Sequence, residues 1–81
     1  MMPESMQEYG RKYDRTWEEI ESMLEQAVAR QRDWIAIYHE SKKAENQKMM
    51  KEAARNKKAL EGVIKTFQWV LGEEGIKHPL H

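Results

Sequence analysis

The chain has 81 residues, 14 Lys plus Arg against 14 Asp plus Glu, 40% hydrophobic residues and no Cys, which bounds it to one small domain. No apolar run approaches the ~18 residues that a membrane span needs, and without Cys both disulfide staples and thiolate metal sites are excluded. A formal charge of zero argues against a protein whose main work is nonspecific adhesion to nucleic acid or to an acidic membrane.

Residues 1–15 form an N-terminal segment. Met1-Met2-Pro3-Glu4-Ser5 lacks the basic and apolar regions of a secretory signal, so a cytoplasmic setting is expected. Pro3 suits a first helical turn, and Met6 and Tyr13 continue the apolar seam of the next element, so this segment reads as a short helix or as an extension of helix one.

Helix one is expected over residues 16–40. Between Arg11 and Glu61 there is neither Gly nor Pro, and the stretch is rich in residues that lose little entropy in a helix. Thr16 followed by Trp17-Glu18-Glu19 reads as a capping box. Ile20, Ala27 and Trp34 recur at one heptad position and Trp17, Leu24 and Tyr38 at the other, with Gln31 as a polar exception.

A connector is expected at residues 41–47, within a ten-residue stretch (39–48) whose only apolar side chain is Ala44. Helix two follows over residues 48–72. Its seam sets Met49, Val63 and Val70 at one position and Ala53, Leu60 and Phe67 at the other, with Asn56 polar. Gly72 and Gly75 are candidate left-handed caps, and Pro79 stops any further helix. The tail, residues 73–81, carries Ile76 and Leu80.

Two amphipathic stretches of nearly equal length predict an all-α antiparallel helical hairpin. The alternative is one continuous rod, because the connector has no Gly or Pro. Met23, Val28, Ile35 and Ile37 on the first helix and Met50, Ile64 and Leu71 on the second widen the apolar stripe beyond a two-stranded seam. Self-association of two hairpins into a four-helix bundle is therefore expected, with Trp17, Ile20, Leu24, Trp34, Tyr38, Leu60, Val63 and Phe67 in the oligomer core. Residues 1–40 hold nine acidic and five basic side chains, and residues 41–81 hold five and nine. This segregation favours the acidic helix beside the basic one, within a chain or between chains.

Catalytic signatures are missing: no glycine-rich phosphate loop, no Gly-x-Ser-x-Gly elbow and no His-Glu-x-x-His helix. An enzyme is not expected, nor is any cofactor or metal, since Pro79 between His78 and His81 prevents the helical geometry that would aim both rings at one ion. Lys48, Lys51, Arg55, Lys58 and Lys65 recur at helical steps and form a basic ridge on helix two.

These features lead to a non-catalytic adaptor or inhibitor, of the kind viruses and mobile elements encode, that associates with itself and with a larger protein. Its expected contact residues are Trp69, Ile76 and Leu80, then Tyr9 and Tyr13. Two alternatives stand beside it: a nucleic-acid-binding regulator acting through the basic ridge, and sequestration of a small anionic ligand between subunits.

Overall fold

The computed structural model describes residues 15–80. Among them 77% are helical and none lies in a strand. Helix α1 spans Trp17–Lys43, 27 residues, and helix α2 spans Gln47–Val70, 24 residues. The two pack against each other along their lengths as an all-α antiparallel hairpin. The chain reverses at residues 44–46 and is not a continuous rod.

Helix α1 begins where its sequence signal lies. The Glu19 N–H donates to Thr16 Oγ1 at 3.1 Å, and the Thr16 N–H donates to Glu19 Oε1 at 2.9 Å. Both halves of the capping box are therefore closed, which satisfies donors that the first turn would leave orphaned. Glu18 and Glu19 also stand in that first turn, at the positive end of the helix dipole.

The turn is tighter than the ten-residue polar stretch suggested. Helix α1 continues three residues past its expected end at 40, because residues 41–43 are good or neutral helix formers and Ser41 is held in place. Ser41 is buried at 6% exposure, and its hydroxyl donates to the Ile37 carbonyl at 2.7 Å. Two backbone bonds then close the helix end, from the Asn46 N–H to Ser41 O at 2.9 Å and from the Glu45 N–H to Lys42 O at 3.1 Å. This nested pair needs a left-handed residue at the first position beyond the cap. Glu45 supplies it with a φ of 56°. Asn46 then caps α2, its side chain accepting from the Met49 N–H at 3.1 Å.

The same motif ends α2, two residues short of its expected boundary. The Glu73 N–H donates to Gln68 O and the Gly72 N–H to Trp69 O, both at 3.0 Å. Gly72 takes the left-handed position with a φ of 76°. Gly75, the other candidate cap, is also left-handed, at φ 83°, but it sits in a further turn of the tail.

What the helices bury between them is small. Ala27 is 8% exposed and Ala53 is wholly covered, and no large side chain among the described residues is fully buried. Gln31, read as a polar exception on the seam, donates from Nε2 to the Lys57 carbonyl at 3.4 Å and so ties one helix to the backbone of the other. Asn56 turns back on its own helix instead, its Nδ2 donating to Glu52 O at 2.9 Å. Its polar group is met locally, because a short amide reaches the carbonyl four residues back more readily than it crosses to α1.

Candidate interaction surfaces

Helical phase, about 100° per residue, divides the hairpin into two broad sides and two outer edges. On one side Ile20, Met23 and Gln26 of α1 and Phe67 of α2 line a shallow groove. Val63 and Val70 stand one turn before and after Phe67 on that side. Met23 is 49% exposed, Val63 42% and Val70 39%. Further along, Trp34 and Ile37 of α1 and Leu60 of α2 are half-buried. Apolar side chains on this side alternate with polar ones, since Arg15, Glu19 and Ser22 also line the groove and helical phase puts Arg30, Glu52 and Asn56 on the same side.

The other side carries the tail. Gln31 of α1, Ile64 and Gln68 of α2 and Ile76 of the tail line one groove there. Nearer the turn, Ile35, Tyr38, Ala54 and Lys57 line another. The tail is anchored by a ring contact, with Trp69 and His78 at 4.8 Å and 64° between planes. The Leu80 N–H donates to His78 Nδ1 at 3.1 Å, which closes the tail into a turn.

The residues expected to make protein contacts thus fall into different settings. Trp69 remains 44% exposed although His78 packs on it, and Leu80 is 86% exposed. Ile76 is half-buried and lies by the tail groove. Tyr9 and Tyr13 lie outside the described residues. Of the expected oligomer core, Trp17 is 62% exposed and Val63 42%, while Ile20, Leu24, Trp34, Tyr38, Leu60 and Phe67 are half-buried. Within a single hairpin none of these eight is out of water.

The basic ridge is continuous. Lys48, Lys51, Arg55, Lys58 and Lys65 are all exposed, on the edge of α2 turned away from buried Ala53. Lys58 also pairs with Glu61 at 3.5 Å. Glu18, Glu21 and Glu25 are exposed on the opposite outer edge, that of α1. The acidic helix therefore does lie beside the basic one, but its charges do not meet it. The ion pairs among the described residues, Arg15 with Glu19 at 3.9 Å and Lys58 with Glu61, each lie within one element or at its cap. Small and apolar side chains occupy the contact, so charge is displaced to the two far edges.

Among the described residues no three His, Asp or Glu side chains gather as a metal site, and no helix is long and apolar enough to cross a membrane. His39 is exposed, beside the ring of Tyr38. Sequence reading missed two residues that build the turn. Asn46 carried a usable signal, being a capping residue type three places before Met49, whereas Glu45 carried none, since its role follows from a left-handed backbone that Glu rarely adopts. Comparison with protein-family models, with curated proteins and with solved structures finds no match to this chain.

Proposed function

We propose that the chain is a non-catalytic protein-interaction module, cytoplasmic, that associates with itself and occupies or bridges the surface of a larger protein as an adaptor or inhibitor. One observation carries this reading: among the described residues the hydrophobic side chains that are buried are two alanines, Ala27 and Ala53, while Trp17, Met23, Val63, Trp69, Val70 and Leu80 stay exposed. Apolar side chains on a rigid hairpin supply affinity when a partner removes them from water, and charged edges supply orientation. Trp69 and Leu80 sit at the tail end, clear of the open broad side, and are the anchors for the larger protein.

The second reading, a nucleic-acid-binding regulator, draws support from the unbroken exposure of the ridge on α2. It lacks the aromatic stacking partners that single strands use, apart from Trp69 at its end. One experiment separates the two. Tagged protein is used for capture from source-cell lysate, with and without nuclease, at low and at high salt. A protein partner retained after nuclease and at high salt, and lost with Leu80→Ala plus Trp69→Ala, is the expected result. Capture of nucleic acid alone, abolished by salt as counterion release demands, would replace the adaptor reading with the second one.

A further inference from the structure

We infer that the groove lined by Ile20, Met23, Gln26 and Phe67 is the seat of the chain's own residues 1–14, packed there as a short amphipathic helix antiparallel to α1. The inference goes beyond the interaction-module reading and does not rest on it. Met23 is then engaged within the chain, while Trp69 and Leu80, the anchors for a larger protein, stay outside the groove.

The way the chain enters α1 is the first argument. Thr16 is extended, with φ −83° and ψ 160°, and its N–H is given to the Glu19 carboxylate at 2.9 Å. A helix running straight through Thr16 would need that N–H for a backbone carbonyl one turn earlier, so α1 does not continue into the preceding residues. Arg15, the residue before the cap, stands at the edge of the groove, 3.9 Å from Glu19. The chain therefore joins α1 from beside the groove and not along the helix axis.

The second argument is the pattern of the segment. Taken at helical steps, Met2, Met6, Tyr9 and Tyr13 fall within about 60° of one another. Its five charged residues, Glu4, Glu8, Arg11, Lys12 and Asp14, all lie about 90° or more from the centre of that stripe. Methionine adapts to an irregular wall, and tyrosine joins an apolar ring to a polar tip. Such side chains suit a groove in which Ile20, Met23 and Phe67 alternate with Ser22 and Gln26.

Fit is the third argument. Fourteen helical residues extend about 21 Å, and the groove from Glu19 to Gln26 needs about 10 Å. With the chain reversing just before Thr16, each step back along the segment matches a step forward along α1. Tyr13 is then level with Ile20, Tyr9 with Met23 and Met6 with Ala27. Arg30 and Glu52, the charges nearer the middle of this side, fall at the far end of the segment or beyond it, and Glu19 beside it is already held by Thr16 and Arg15. A short tether also gives the segment an effective concentration in the millimolar range, which a separate occupant has to exceed.

The absence of Cys makes the test direct. Two double variants of the whole chain, Tyr9→Cys with Met23→Cys and Glu8→Cys with Met23→Cys, are treated with a short bis-maleimide linker over a range of protein concentrations. The first pair is expected to link within one chain at least about fivefold faster than the second, whatever the concentration. Hydrogen exchange reads the same contact with Tyr9 in place. Amides of residues 5–13 in the wild type are expected to exchange at least about tenfold more slowly than in an unstructured chain. Met23→Lys is expected to abolish that protection while amides of residues 28–40 keep theirs. Equal linking by the two pairs overturns the inference, as do links that join separate chains, which would put a second copy in the groove. Unprotected amides at residues 5–13, or protection indifferent to Met23→Lys, overturn it too. None of these outcomes bears on capture of a larger partner through Trp69 and Leu80, so the two readings fail separately.

Discussion

Glu45 is the residue whose backbone is most at odds with its side chain. Its φ of 56° places Cβ close to the carbonyl that follows, which costs an L-residue about 1 kcal/mol. It is tolerated because the nested bonds to Ser41 and Lys42 satisfy two carbonyls that the end of α1 would leave unpaired. Glu45→Gly keeps those bonds and removes the clash, against a smaller gain in unfolded-state freedom. The variant is expected to be stabilised by about 0.5 kcal/mol, read as a rise in the urea midpoint at constant slope. A fall in the midpoint would mean that the Glu45 side chain, and not the turn geometry, holds the reversal. The same position shows why the turn was legible only in outline. Composition located it within ten residues, but the helix end was set by two nested backbone bonds and the burial of Ser41, which a polar stretch does not announce. Thr16 and Glu19 are the opposite case, since their cap is built from side chains whose spacing is itself the signal.

At the scale of the helices, the contact is governed by small residues, and the heptad pattern concealed this. Ala53 and Ala27 sit where the helices face each other, while larger members of the same seams, such as Val63, lean towards the open side. The seams were visible because apolar residues recur at helical steps. Which part of each stripe closes the hairpin was not, because a stripe wide enough for three helices has several lines along which two can meet. Ala53 offers a test. A leucine there has no room, so Ala53→Leu forces the helices apart and is expected to cost about 1–3 kcal/mol, whereas Ala36→Leu on the exposed outer edge of α1 is expected to stay within about 0.5 kcal/mol. Chemical unfolding of both variants checks the contrast. Equal effects would show that the hairpin closes along a different line.

The hairpin as a whole is thin, a single pair of helices whose buried hydrophobic side chains are Ala27 and Ala53. Two helices and a tail expose both sides of every side chain they do not interleave, so most apolar atoms are shielded on one side only. Folding free energy from burial scales with the area removed from water, about 25 cal/mol per Å², and the N-terminal segment and self-association are the remaining sources of such area. The proposed self-association makes stability depend on concentration. For two chains melting together as a unit, with an unfolding enthalpy near 0.7 kcal/mol per residue, each tenfold rise in protein concentration is expected to raise the thermal midpoint by about 4 °C. A dilution series followed by circular dichroism at 222 nm measures this. A midpoint that does not move over a hundredfold range would mean that each hairpin is stable alone.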